Sequence, residues 1–321
     1  MTTGTLVLAI QGDSDNWSPQ RWLERFTSVC AGRRVALLPD PELDPDEVRY
    51  AATWIPQPGA LAAFRNLRAI FNLGAGVDAL LGDASLPQVP IVRVAVDDLT
   101  GRMTEYIVLH VLAHHRRLFA LREDQARKLW RPRTQPAATA VTVGILGMGT
   151  LGQDAAAVLR RIGFRVVGWS RSTKAVDGVE CFSGPAQLPA FLRRTHILVC
   201  LLPLTPETRH ILNRALFEQL GRDSPLGAPV LVNAGRGGLQ VEADIVGCLD
   251  DGTLGAATLD VFEREPLPPE SPLWSHPKVI VTPHNAADTD PDAISVYVAE
   301  QITRLEAGLP LQNVVDRARG Y

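Results

Sequence analysis

Thr142-Val143-Gly144-Ile145-Leu146-Gly147-Met148-Gly149-Thr150-Leu151-Gly152 is the stretch on which the fold turns. Its apolar start predicts a strand over Val141–Leu146, and helical spacing resumes across Ala155–Arg161. Between them the glycines fall as G-x-G-x-x-G, a weak signal alone but a strong one at a strand-to-helix junction. Each glycine has its own task there. Gly147 permits the tight turn, Gly149 lets a pyrophosphate approach the backbone, and Gly152 lets the helix pack close to the strand. The start of the helix then offers free N–H groups and a positive dipole end to the phosphates. The bland alternative is a merely structural glycine turn.

Working outward, apolar runs at Arg165–Trp169, His196–Leu202, Pro229–Asn233, Ala256–Val261 and Val279–Thr282 read as further strands. With the first they make six, enough for a complete dinucleotide fold. Upstream, Thr5–Ile10, Arg34–Leu38, Leu67–Leu73 and Ile91–Val94 repeat the same βαβ rhythm. A helix over Met103–Leu121 is expected to bridge the two series, followed by the polar, proline-bearing stretch Arg131–Thr139. A last helix, about Pro291–Ala307, is expected to return to the first lobe. The expected architecture is α/β, with two Rossmann-like or flavodoxin-like parallel-sheet domains and a ligand cleft between them. Residues 1–98 plus 287–321 would form a discontinuous substrate domain and 99–286 the dinucleotide domain.

The composition agrees with that size and excludes several classes. A chain of 321 residues suits two ordinary domains, and 46% hydrophobic with 21% charged residues is globular. A net charge of −3 provides no basic field for nucleic acid or an anionic membrane surface. Met1–Ile10 lacks the basic start and long apolar middle of a leader, so a cytoplasmic protein without membrane partners is expected. Cys30, Cys181, Cys200 and Cys248 have no C-x-x-C spacing and are expected to be buried reduced thiols with no metal.

The end of the second strand of this series chooses the dinucleotide. NAD enzymes usually carry a carboxylate there for the ribose hydroxyls, but this chain has Ser170, followed by Arg171 and Ser172. No carboxylate repels a 2′-phosphate and a guanidinium is available to hold it, so NADP(H) is preferred over NAD(H). A solvated loop charge is the plain alternative for Arg171. The Leu202-Pro203 break and Thr208 suggest a further contact loop at the carboxyl edge of the sheet.

Arg236, Glu265 and His284 follow the ends of successive predicted strands, where an open parallel sheet converges. Reduction of a 2-oxo acid needs a cation for the carboxylate, a proton donor for the nascent alkoxide, and a group that keeps the donor charged. Arg236 fits the first role, His284 the second, and Glu265, favouring the imidazolium, the third. Singly, each has a bland reading: a helix-cap cation, a core histidine, a solvated loop charge. Their shared position after strands, behind one glycine loop, favours the joint reading.

At these residues the sequence resembles the D-specific 2-hydroxyacid dehydrogenases, and within them the bacterial glyoxylate/hydroxypyruvate reductases of the A subgroup. Asn72–Asp78, Gly144–Gly152, Trp169–Arg171, Arg264–Trp274 and Val315–Tyr321 carry the likeness, which spans nearly the whole chain. The resemblance implies Arg236, Glu265 and His284 as the catalytic trio and Asp260 as the residue that holds the nicotinamide carboxamide. It also implies cofactor contacts from Thr150, Leu151, Ala234 and Gly235. Substrate contacts would come from Trp54 and from the loop Gly74, Ala75, Gly76 and Val77. NADPH, a small 2-oxo or 2-hydroxy acid and a homodimer formed through the bridging helix follow from the same likeness. Two departures stand out. Gly235 replaces the usual Ser or Ala and is expected to loosen its turn, and Asn285 and Asp288 put polar groups where the family is commonly apolar. A larger 2-oxo acid, or a non-catalytic dinucleotide-sensing scaffold, is the alternative. Formate dehydrogenases are disfavoured because their glutamine is Glu265 here.

Overall fold

The computed structural model describes residues 4–12 and 17–320. Residues 1–3 of the leader reading and Tyr321 of the C-terminal motif lie outside the described residues. The chain divides into two compact units, Met1–Leu99 with Thr289–Tyr321, and Thr100–Asp288.

In the first unit five parallel strands, β1 (Thr5–Ile10), β2 (Val35–Leu37), β3 (Val48–Trp54), β4 (Ala69–Asn72) and β5 (Ile91–Arg93), lie in the order 2-1-3-4-5. A parallel sheet is covered on both faces, so β1 is apolar and buried at nearly every residue instead of alternating. Leu6 and Leu8 pack in one layer with Trp22 and Phe26 of α1 (Pro19–Val29). Ile294, Val298 and Ile302 of the C-terminal helix Pro291–Glu306 join that layer. Val7 and Ala9 face the opposite layer with Ile70, Leu61 and Leu80, the last on the short α2 (Asp78–Leu81). Each large apolar side chain fully buried this way contributes roughly 2 kcal/mol.

One strand here was not expected. β3 is central, pairing with β1 on one side and β4 on the other. Its sequence, Val-Arg-Tyr-Ala-Ala-Thr-Trp, is broken by Arg49 and thinned by alanines, so its apolar run is too weak to read as a strand. Neighbouring backbone, not local propensity, makes it one.

The second unit contains α3 (Asp97–His115) from Thr100 onward, α4 (Leu118–Ala126) and seven parallel strands. These are β6 (Thr142–Leu146), β7 (Arg165–Ser170), β8 (Glu180–Ser183), β9 (Ile197–Cys200), β10 (Val230–Asn233), β11 (Ala256–Leu259) and β12 (Val279–Val281). Their order is 12-11-10-9-6-7-8. The order reverses between β6 and β9, which places the glycine loop and the Leu202-Pro203 loop at the topological switch point. Ile107 and Val111 of α3 pack with Val143, Ile145, Ile197 and Val199 on one face. Leu146, Leu198, Leu231 and Leu259 fill the other.

Three expectations need correction in this unit. The sheet has seven strands and not six, because β8 is a half-exposed edge strand without an apolar run. Cys181 lies on it and is therefore only half-buried, whereas Cys30, Cys200 and Cys248 are buried; all four thiols are unpaired. The helix expected over Met103–Leu121 is two helices. Arg117 adopts φ +54° between them, and its guanidinium donates to the carbonyls of Thr134 and Pro225.

Candidate active site

The glycine loop leaves β6 with Gly147 at φ +111°, its N–H donating to the Trp169 carbonyl (2.9 Å). A Cβ on Gly147 would lie 2.8 Å from the Leu201 carbonyl oxygen, and one on Gly152 only 2.1 Å from that of Gly147. Both are backbone clashes, so glycine is required at each. A Cβ on Gly149 would meet nothing within 4 Å, which leaves an open cradle at the N-cap of α5 (Thr150–Ile162). The first N–H groups of that helix, at Thr150, Leu151 and Gly152, face outward from a helix end that has no side-chain cap.

At the end of β7, Ser170 is buried and its hydroxyl donates to the Ser172 carbonyl (2.7 Å), closing a tight turn that exposes Arg171. Arg171 lends charge to Glu207 on the loop after β9, whose carboxyl is held down first by Thr205. Thr208 staples that loop. Its hydroxyl donates to the Pro203 carbonyl (2.7 Å) and accepts from the Thr205 N–H (2.8 Å), while Leu202 is buried beneath.

After β10, Asn233 shapes the Arg236 loop. Its Oδ1 accepts from the Gly235 N–H (3.1 Å) and its Nδ2 donates to Gln240 Oε1 (2.8 Å). Ala234 is buried, its N–H on the Cys200 carbonyl. Gly235 does not loosen the turn: a Cβ there would sit 2.9 Å from the Leu202 carbonyl oxygen, so glycine lets the turn pack tightly. Gly237 matters more, because its missing Cβ would fall 1.7 Å from the Phe262 carbonyl oxygen. The backbone after Arg236 therefore lies directly on the loop that carries Glu265.

That approach brings the ionisable residues together. His284 Nδ1 lies 2.7 Å from Glu265 Oε2, and Glu265 Oε1 accepts from the Phe262 N–H (2.9 Å). Burial by itself would raise the Glu265 carboxyl. The hydrogen bond and charge of His284, the Phe262 N–H and the positive charge of Arg236 outweigh it and hold the group below its ordinary value. Arg236 Nη1 also donates to the Gly235 carbonyl (2.7 Å). His284 itself has φ +53°, a left-handed conformation that costs a side-chain-bearing residue about 1–2 kcal/mol.

Asp260, 1% exposed, sits under that turn. Its Oδ1 accepts from the Thr282 hydroxyl (2.6 Å) and the Asn285 N–H (3.0 Å), and its Oδ2 from the Ala286 N–H (3.0 Å). Three of its four acceptor positions are thus taken by its own chain. Asn285 and Asp288 are exposed. Asn72, Thr282 and Tyr106 were not singled out as site residues, because nothing in their spacing reports what a polar side chain touches.

In the first unit, Asn72 at the end of β4 donates from Nδ2 to the carbonyls of both Gly74 and Gly76 (2.8 Å each). Turning two carbonyls toward Asn72 curls the segment Gly74, Ala75, Gly76 and Val77 around that side chain. Trp54 ends β3 beside it; a Cβ on Gly74 would lie 2.2 Å from the Trp54 ring, which itself packs 4.4 Å from the Trp17 ring.

Several known proteins resemble this chain. The family model for the D-isomer specific 2-hydroxyacid dehydrogenase NAD binding domain matches residues 108–286. A glyoxylate/hydroxypyruvate reductase A of Yersinia enterocolitica is 41% identical over 284 residues, 87% of this chain and 89% of the relative. The solved NADPH-dependent glyoxylate/hydroxypyruvate reductase of Sinorhizobium meliloti, in complex with NADP and sulfate, is 47% identical with a TM-score of 0.93, covering 99% of this chain and 100% of that one. A probable 2-hydroxyacid dehydrogenase of Rhizobium etli, solved with NADP, HEPES and L(+)-tartaric acid, is 45% identical with a TM-score of 0.92, covering 99% of each chain. The chain belongs to the D-isomer specific 2-hydroxyacid dehydrogenase family.

Proposed function

We propose that this protein reduces a small 2-oxo acid, glyoxylate or hydroxypyruvate, to the 2-hydroxy acid with NADPH. The observation that carries the reading is the 2.7 Å pair of His284 and Glu265, within the field of Arg236, at the sheet edge that also bears the glycine loop. NADP-bound relatives at 45–47% identity support the choice of cofactor.

The residues fit a dinucleotide phosphate. Gly147 and Gly152 fold the backbone into a cradle that side chains would fill, Gly149 leaves it open, and the α5 N-terminus supplies N–H donors. Arg171, exposed beside a Ser170 that carries no charge, suits a 2′-phosphate, with Leu202, Pro203, Thr208, Ala234 and Gly235 as further contacts. When bound, the reduced nicotinamide supplies the hydride to C2 of the acid. Arg236 grips the substrate carboxylate and polarises its carbonyl through the fixed guanidinium fork. Glu265 holds His284 Nδ1, which turns Nε2 outward to donate a proton to the forming alkoxide. We assign the dinucleotide to Thr100–Asp288 and acid recognition in the other unit to Trp54 and the N–H groups of Gly74–Val77.

The same reading includes a homodimer. Leu109 on α3, Leu118, Phe119 and Leu121 on α4, and Leu129 and Trp130 beyond it are exposed apolar side chains, Trp130 at 98%. Large apolar side chains left exposed there suit a protein interface, and mass measurement in solution tests it. Among the described residues no helix is long and apolar enough to cross a membrane. We take the cytoplasm as the site of action.

Initial rates of NADPH and NADH oxidation with glyoxylate, hydroxypyruvate, pyruvate and phenylpyruvate test the function. Fast NADPH turnover with glyoxylate and hydroxypyruvate is expected; cofactor binding without turnover on any acid would overturn it. His284→Ala is expected to cut kcat by roughly 10²–10⁴-fold with NADPH affinity unchanged. Arg171→Ala is expected to weaken NADPH far more than NADH, and equal weakening would remove the 2′-phosphate role.

A further inference from the structure

His284 is held at φ +53°, and something must hold it there. The turn from Thr282 to Ala286 is fastened to a single side chain, Asp260, through the Thr282 hydroxyl and the N–H groups of Asn285 and Ala286. The His284 N–H completes the clasp on the Asp260 carbonyl (2.8 Å). Flanking residues on both sides of the histidine are therefore tied to one buried group, and the histidine between them has no freedom to swing.

The proton directions extend the network by one residue. Thr282 has one hydroxyl proton, and Asp260 Oδ1 takes it at 2.6 Å. Tyr106 Oη lies 2.7 Å from the same Thr282 oxygen, so the tyrosine must be the donor there. Burial pushes the Tyr106 phenol above its ordinary value, which keeps it a donor throughout the working pH range. Tyr106 is anchored in turn, its ring 4.3 Å from that of His110 one turn further along α3.

We infer that Thr282 and Tyr106 are positioning residues for His284, acting through Asp260 to fix the turn that presents the imidazole. The inference rests on the proton-donor role proposed for His284. It goes beyond that role by making α3 a structural partner of the proton donor. Neither side chain hydrogen-bonds the imidazole, whose Nδ1 lies on Glu265, so each acts through the geometry of the turn.

Thr282→Val removes the hydroxyl at nearly constant volume, Thr282→Ser keeps it, and Tyr106→Phe keeps the ring and its contact with His110. For the valine variant the expected result is a fall in kcat of about tenfold with the KM for the acid and the affinity for NADPH changed less than about twofold. Thr282→Ser is expected to recover to within about threefold, and Tyr106→Phe to lose about threefold. A second readout needs no turnover: the ¹⁵N and ¹H resonances of the His284 ring, assigned with His284→Ala. In the parent, one tautomer held by Glu265 is expected, and in Thr282→Val a shifted or averaged signal. Unchanged ring resonances in both Thr282→Val and Tyr106→Phe would overturn the inference, as would equal losses in the valine and serine variants. If Thr282→Val fails to fold, Tyr106→Phe and Thr282→Ser decide alone. Should the parent reduce none of the acids, the functional reading fails while the ring spectrum still decides the positioning role.

Discussion

Each unit carries a glycine loop at the carboxyl end of a strand, and the two are locked by different means. The loop after β6 is locked by backbone against backbone: Gly147 against Leu201, Gly152 against Gly147. It runs into a helix of 13 residues whose end is open. The loop after β4 is locked by side chains, with Asn72 holding two carbonyls and the Trp54 ring lying on Gly74. It runs into a helix of only four residues. A backbone lock cannot give way without moving a strand, whereas a tryptophan ring can rotate. The first loop suits a ligand that is the same in every turnover, the second a pocket whose shape depends on one side chain.

Gly152→Ala is the most severe way to probe that contrast. The added methyl meets a carbonyl at 2.1 Å, so a loss of about 3 kcal/mol in denaturant unfolding is expected, together with loss of NADPH binding. A folded, NADPH-binding Gly152→Ala protein would mean that the α5 start adjusts freely.

A second probe uses acid. All seven histidines of the chain lie between residues 110 and 284, so the second unit alone has histidine titration to lose. His114, buried with Nε2 against Thr258 Oγ1 (2.8 Å), is pushed down to about 3 by burial and then by His110. Burial also lowers His110 and His115. With a depressed folded value, each is neutral in the native state while the unfolded chain binds its proton below about pH 6.5, so stability falls as pH drops through that value. For His114 the fall from pH 7 to pH 5 amounts to about 2 kcal/mol. Thermal scans of the parent and of His114→Gln should therefore converge as the pH falls, and a parallel decline would sink the assignment.

The mildest probe is Gly74→Ala. Trp54 can move from its 2.2 Å clash, so a stability loss of no more than about 1 kcal/mol is expected, with the principal effect on the KM for the acid. Combining it with Trp54→Phe should be non-additive, since the two share one contact. Additive losses would show that the ring does not define this loop.

The glycine fingerprint, the strand ends bearing Arg236, Glu265 and His284, and the absence of a carboxylate at Ser170 were all legible in the linear order of residues. Such features are local: a turn needing φ above zero, an apolar run, a charge in place of another. β3 and β8 were not legible, since the alanines of one and the mixed residues of the other become strands only when a neighbour supplies the hydrogen bonds. The break at Arg117 was hidden for the same reason, its guanidinium being held by the carbonyls of Thr134 and Pro225, the latter 108 positions away.

By itself, then, the sequence determined a pair of parallel-sheet α/β units, because hydrophobic runs and glycine spacing are properties of neighbours along the chain, and its motifs carried the resemblance to the family. Only the tertiary structure decided that Glu265 meets His284 at 2.7 Å, that Gly237 lets the Arg236 loop lie on Phe262, and that Tyr106 and Thr282 secure the histidine turn through Asp260. Those contacts join residues 19 to 176 positions apart. Their distances depend on strand order and loop packing, which no local pattern encodes.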